Sequence, residues 1–262
     1  HNECPMAIAL KETRPVRGVE AMAQRPDGTM FPFLPFPTPM RNENGEMVGA
    51  VNMLVDISDR KLAESNQRIL LKELNHRVKN NMAMLYASIR SAERETANVE
   101  ARTVLGNAAQ RVGAMAAAQQ ALYTEHDRYG VDAQEFVSAV CESAKQAFSK
   151  DVSLHIDVTA GHLRNEITMP LALILNELLT NAAKHGCDNH GSCDIWISLN
   201  DDNGALLLTV RDSGSGFDLR DTGRRSSGTG LISGLARQLG GTFSVARGPG
   251  ALCTVRLDRQ TD

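Results

Sequence analysis

The stretch Met169-Pro170-Leu171-Ala172-Leu173-Ile174-Leu175-Asn176-Glu177-Leu178-Leu179-Thr180-Asn181-Ala182-Ala183-Lys184-His185 reads as a helix, about Leu171 to Lys184, opened by its proline. Proline suits a first turn, and the apolar residues return at the three- and four-residue spacing of one helical face. With Glu177 set to zero, Asn181 falls at about 40°, Lys184 at about −20° and His185 at about 80° around the axis. Leu171, Leu175, Leu178, Leu179 and Ala182 take the other side and would anchor the helix on a sheet. A carboxylate, an amide, an ammonium and an imidazole on one arc suit a phosphate–metal site, with Asn181 oxygen on Mg²⁺, Lys184 on phosphate and Glu177 as base. A solvated helix face accounts for the same arc, so the neighbouring segments must decide.

Two glycine-rich segments follow. Asp212-Ser213-Gly214-Ser215-Gly216-Phe217 comes straight after a strand. A buried acceptor carboxylate there can read the exocyclic amine of adenine, and the glycines let backbone approach a ring. Ser227-Gly228-Thr229-Gly230-Leu231 opens a helix read as Leu231–Leu239, and backbone N–H groups at such an N-terminus form an anion site. Asp218–Ser226, with Arg224 and Arg225, suits a lid over a nucleotide. Neither segment fits a Walker loop or a dinucleotide fingerprint.

Around these, Asp132 is placed to cap a helix over Ala133–Phe148, and strands are expected at Val152–Val158, Asp194–Leu199, Ala205–Arg211, Thr242–Ala246 and Ala251–Leu257. From residue 125 onward the pattern is α+β, a mixed or antiparallel sheet with helices on one face. Upstream, Asp59 to Glu95 contains no Gly or Pro and reads as one helix, capped by Ser58 or Asp59, with Leu70, Leu74, Val78, Leu85 and Ile89 on one side. His76 falls at about 200° from Leu74, on the solvent side; taken alone, such a histidine is an ordinary surface residue. A second helix is expected over Val99–Tyr123, with the stripe Leu105, Ala108, Val112, Met115, Gln119 and Leu122 and the link Thr96-Ala97-Asn98. The two make an antiparallel hairpin that must cover its stripe with a second hairpin or with the next domain. Residues 1–57 read as β-rich: a turn at Arg25–Thr29, a proline-laced edge or irregular strand over Met30–Met40, a turn at Asn42–Gly45 and a strand over Met47–Ile57.

The 262 residues are 42% hydrophobic with a net charge of −3. That balance gives no reason to expect nucleic acid or an anionic membrane surface. The longest apolar run, near Met169–Leu175, is too short for a membrane span, and a cytoplasmic location is expected. Five cysteines, odd in number and scattered, favour reduced thiols. His185, Cys187, His190 and Cys193 lie close together, but their spacing matches no common zinc pattern and an ordinary loop is favoured.

Taken together and in order, Asn176-Glu177-x-x-x-Asn181, the Asp-x-Gly-x-Gly segment at 212–216 and Gly-Thr-Gly-Leu at 228–231 resemble the GHKL (Bergerat-fold) ATPases, and more narrowly the sensor histidine kinases. His-Arg-x-Lys-Asn at 76–80 is similar to the phosphoacceptor box of the subfamily that includes the HWE kinases. The Trp-x-Glu of that group is absent, since Trp196 is followed by Ile197-Ser198, whereas His185 fits its Asn box. The Pro-Asp-Gly turn, the strand Gly45-Glu46-Met47-Val48-Gly49-Ala50-Val51 and the exit Asp56-Ile57-Ser58-Asp59-Arg60-Lys61 resemble the C-terminal half of a PAS sensor domain; no PAS ligand is assigned.

The resemblance implies an α+β chain in three parts: a partial PAS β-sheet at 1–57, a signalling helix and phosphoacceptor hairpin at 58–124, and a Bergerat-type ATP-binding domain at 125–262. It implies that His76 takes the γ-phosphoryl group of ATP, with Glu177 as base and Glu73 or Asn75 able to share that role. Asn181 would bind Mg²⁺, with Lys184 and His185 near the phosphates. Asn176, Asp212, Gly214, Gly216, Ser227, Gly228, Thr229, Gly230 and Leu231 would complete the ATP site. The phosphoryl group would pass to an Asp of a response-regulator receiver domain, and a homodimer through the hairpin is open. Two readings compete: an ATP-binding pseudokinase or scaffold, and a GHKL protein of another trade.

Overall fold

The computed structural model describes residues 5–12, 14–122, 130–146, 148, 151–186, 192–202, 204–214, 227–248 and 250–258. They form two compact units, His1–Leu74 and Asn75–Asp262.

The first unit holds a three-stranded antiparallel sheet in the order β1-β2-β3, with β1 Ala21–Gln24, β2 Met30–Arg41 and β3 Met47–Asp56. The turn at Asp27 forms as its sequence suggests: Asp27 Oδ1 accepts from Thr29 N at 2.9 Å, and Gly28 N donates to Arg25 O at 2.9 Å. Two expectations need correction. A helix, α1 Pro5–Glu12, precedes the strands in a segment read as β-rich. The proline-laced β2 lies in the middle of the sheet rather than at its edge. The prolines are tolerated because β1 pairs only with Met30–Phe33, so Pro35, Pro37 and Pro39 lie on a stretch bonded to β3 alone. Helix α2 spans Ser58–Glu95 as one uninterrupted rod. Its start is capped by Asp56, not Ser58 or Asp59: Asp56 Oδ1 accepts from Ser58 N at 2.8 Å. Glu20 pairs with both Arg60 and Lys61, fastening the first turn of α2 to the unit's loop before β1.

In the second unit, α2 is followed by α3 Val99–Ala121, capped by Asn98, whose side chain accepts from Ala101 N at 3.0 Å. The helices run antiparallel: Glu93 sits beside Gly106 and Tyr86 beside Gly113. The expected α3 stripe is not the one that is buried. Ala109, Ala114, Ala118 and Ala121 are buried instead, and α3 packs on α4 Ala133–Lys145 and α5 Asn165–His185. Alanine on this face permits close approach without side-chain entropy loss.

The sheet is β5-β7-β8-β10-β9, built from β5 Asp151–Val158, β7 Ser192–Asp202, β8 Ala205–Asp212, β9 Thr242–Gly248 and β10 Gly250–Asp258. Only β5 and β7 are parallel. A short ribbon pairs β4 Val131–Asp132 with β6 His162–Leu163, and α6 Ser227–Gln238 completes the helical layer. Strand residues alternate between core and solvent: Ile195, Ile197 and Leu199 are buried, while Asp194, Trp196 and Ser198 are not. This is the mixed sheet with helices on one face that the sequence implied.

Helix α5 begins at Asn165, six residues before the expected Leu171, so Pro170 lies inside it. The missing N–H costs one ladder bond near the N-terminus, and Thr168 Oγ1 donates to Asn165 O at 2.8 Å in the same turn. Leu171, Ile174, Leu175 and Leu179 are at most 1% exposed and form the centre of the core with α4 and the sheet. Among the cysteines, Cys193 is disulfide-bonded, against the expectation of reduced thiols throughout. Cys141 and Cys253 are free, and burial pushes both thiols up to about 12. Among the described residues no helix is long and apolar enough to cross a membrane.

Leu175→Ala is expected to cost about 2–5 kcal/mol of folding stability by removing buried methyls and leaving a cavity. Urea unfolding checks this, and a loss under about 1 kcal/mol would show that α5 is not the core element described here.

Candidate nucleotide and phosphoacceptor site

The adenine-side candidate is Asp212, the last residue of β8. Strand parity turns it to the helix side with Leu206, Leu208 and Val210, and it is 6% exposed. Its Oδ1 accepts from Gly214 N at 3.0 Å and Ala251 N at 3.1 Å. Two backbone donors fix the carboxylate and leave Oδ2 for a ligand's amine. Backbone closes tightly around it: a methyl on Gly250, whose φ is +99°, would lie 1.7 Å from Asp212 O. No side chain fits there.

The phosphate-side candidate lies where α5 meets the first turn of α6. A methyl on Gly228 would stand 2.9 Å from Glu177 Oε2 and 3.7 Å from Asn181 Oδ1. The bare glycine therefore lets the first turn of α6 approach the Glu177 carboxylate and the Asn181 amide closely. The Ser227–Gly230 segment is itself the first turn of α6, which starts four residues earlier than expected. Thr229 is buried, Gly230 exposed and Leu231 half-buried.

The polar arc of α5 also faces α3, which sequence reasoning did not foresee. Arg111 donates from Nε to Glu177 Oε1 at 2.8 Å and from a terminal nitrogen to Oε2 at 3.2 Å. Glu177 is 8% exposed, and its carboxylate holds the Arg111 guanidinium above its usual pKa. Lys184 Nζ donates to Asn107 Oδ1 at 2.8 Å. Nothing in the sequence flags Arg111 or Asn107, because a cation and an amide four apart on a helix are ordinary surface features. Asn176 is one step round the helix from Glu177, and the structure does not bring it to that group. It is 2% exposed, its Nδ2 has no partner, and it lines a groove of about 630 Å³ among α2, α3 and α4 with Lys79, Tyr86, Gly113 and Glu142. His185 is exposed at the end of α5.

His76 is exposed on α2, as its helical angle requires. Asn80, one turn on, places its Nδ2 3.3 Å from His76 Nδ1. Glu73, one turn back, is exposed as well. Gly216, the lid segment Asp218–Ser226, Cys187 and His190 lie outside the described residues. Among the described residues no three His, Cys, Asp or Glu side chains gather as a metal cluster.

With this geometry in place, comparison with known proteins is direct. Residues 73–148 match the family HisKA_2, described as "Histidine kinase". Residues 166–261 match HATPase_c, described as "Histidine kinase-, DNA gyrase B-, and HSP90-like ATPase". The chain thus carries a histidine kinase domain and, after it, an ATPase domain of the histidine kinase, DNA gyrase B and HSP90 class. Among its relatives is a blue-light-activated histidine kinase of Brucella ovis, 29% identical over 206 residues, covering 76% of this chain and 40% of the relative. That of Brucella anthropi is 28% identical over 144 residues, 54% of this chain and 28% of the relative. The chain thus spans about two fifths of the length of the curated relatives it matches. In fold it is similar to the blue-light-activated histidine kinase of Erythrobacter litoralis, with a TM-score of 0.53 at 21% identity, covering 96% of this chain and 77% of that one.

Gly250→Ala is expected to push Asp212 out of place and weaken ATP binding by more than about tenfold, because the strained φ and the backbone contact have no flexible neighbour to yield. Equilibrium dialysis with ATP measures this; an unchanged affinity in a folded variant would remove Asp212 from the nucleotide site.

Proposed function

We propose that this chain is the transmitter of a two-component system, autophosphorylating His76 with ATP and passing the phosphoryl group to an Asp on a response-regulator receiver domain. The observation that carries this reading is the pairing, within one compact unit, of an exposed histidine on the matched phosphoacceptor helix with a glycine-built nucleotide cradle.

Phosphoryl transfer through a loose transition state asks for positioning and charge neutralisation more than for covalent help from the protein. Asp212 Oδ2 accepts from the adenine amine, and the first turn of α6, with Gly228 and Thr229, offers N–H groups to the phosphates. The amide oxygen of Asn181, beside the first turn of α6, is a hard donor that suits Mg²⁺. When bound, the ion neutralises phosphate charge, with Asn181 holding it and Lys184 and His185 beside the phosphates. On the acceptor side, the ring nitrogen of His76 that carries no proton attacks phosphorus with its lone pair, ADP leaves, and the proton on the other ring nitrogen is lost as phosphohistidine forms; Glu177 accepts that proton, with Glu73 able to share the role.

The hairpin supports a homodimer. Helix α2 has no buried residue, and Leu70, Leu74, Leu85 and, on α3, Val104 are each more than half exposed. A second copy laying its hairpin on this face would cover them.

Incubation with γ-labelled ATP and Mg²⁺ is expected to give acid-labile label on the wild type and none on His76→Ala. Asn181→Ala should lose at least about 100-fold in labelling rate through lost metal. Label persisting in His76→Ala, or absent from both proteins, would refute the kinase reading, the latter outcome favouring a nucleotide-binding scaffold.

A further inference from the structure

Resting on the kinase reading, the contact between α3 and α5 carries a consequence for control. Glu177, the proposed base, spends both carboxylate oxygens on Arg111. A carboxylate engaged at both oxygens by a guanidinium fork is not available to take an imidazole proton. Seven residues along the same face of α5, Lys184 is held by Asn107, four residues from Arg111 on the same face of α3. Two of the arc's four polar side chains, Glu177 and Lys184, are therefore tied to one helix at two points, in antiparallel order.

The acceptor is elsewhere. The neighbours Glu93/Gly106 and Tyr86/Gly113 fix the register of α2 against α3 and set Arg111 level with Ser88. His76 lies twelve residues from that level, about 18 Å along the helix axis at ~1.5 Å per residue. An in-line transfer needs reacting atoms about 3–3.5 Å apart. This arrangement cannot phosphorylate its own His76, and the two ties hold it.

We propose that Arg111 and Asn107 form a two-point latch that clamps the ATP-binding domain on α3 with Glu177 masked, and that phosphorylation of His76 requires this latch to open. Arg111 is thus a positioning residue that acts through Glu177. The latch is half-exposed on the Arg111 side, with relative side-chain accessibility of 31% for Arg111 and 10% for Glu177, which suits an interaction that must break during turnover. Its strength comes from the bidentate fork, which lysine does not reproduce.

The test uses the whole chain. In γ-labelled ATP, the initial labelling rate of Arg111→Ala is expected to rise about tenfold over wild type, the shift expected when a two-state equilibrium loses one partly buried charge pair. Arg111→Lys should lie between, and Asn107→Asp, which gives Lys184 a charged partner, should label about threefold more slowly. ATP affinity by equilibrium dialysis should stay within about twofold in all three, and amides of Val99–Ala121 should exchange faster with deuterium in Arg111→Ala. A merely structural role for Arg111 would not raise the rate at constant ATP affinity. Labelling of Arg111→Ala at or below the wild-type rate, or unchanged exchange in α3, overturns the latch. Should Arg111→Ala not fold, the order of Arg111→Lys above wild type above Asn107→Asp decides the matter, and any other order overturns it. If the wild type takes no label at all, the kinase reading fails, and the exchange comparison still decides whether the latch exists.

Discussion

One helix has two jobs that pull against each other, and the C-terminal unit is arranged around that conflict. Helix α5 must be buried to be rigid, and eleven of its residues are. On the proposed reading it must also present a carboxylate, an amide and an ammonium where a nucleotide can reach them. Burying a charge without a partner is costly, and Glu177 is 8% exposed. The fold resolves this with Arg111, which satisfies both oxygens of Glu177 from α3. The same pair therefore lets a carboxylate sit in a largely buried place and joins the helical hairpin to the sheet domain. Gly228 completes the compromise on the other side, where a side chain would have struck Glu177.

The fold was largely legible because its signals are local. Alternation marked the strands of the five-stranded sheet, and the Gly- and Pro-free run marked α2. What local signals missed has a physical reason in each case. Pro170 reads as a helix start, yet α5 runs back to Asn165, since packing of Thr168 and its bond to Asn165 O outweigh one lost ladder bond. On α3 the expected stripe of larger apolar residues is half-exposed, while the alanine face is buried, because close helix packing on α4 and α5 rewards small side chains rather than hydrophobic ones. The prolines of β2 argued for an edge, and the shortness of β1 makes them so locally.

The candidate site was legible as a set of residue types in order, less so as contacts. Periodicity placed Glu177, Asn181 and Lys184 on one arc, and that arc does face one region. It could not say that Asn176, its neighbour in the same motif, would point into a different groove, although a step of about 100° per residue makes that separation unavoidable. Nor could it find Arg111, sixty-six residues away in sequence from Glu177. Long-range ion pairs leave no periodic trace.

On the proposed reading, an exposed acceptor and a buried base impose a requirement on motion. His76 faces solvent, as suits a substrate side chain that enters one active site and then leaves for another protein's. Glu177, the proposed base, is shielded from bulk water. Two such groups cannot share one static packing, since burying His76 against Glu177 would block its release, and exposing Glu177 would drown it in solvent. The separation along α2 is thus the expected resting geometry for a histidine that is substrate rather than catalyst.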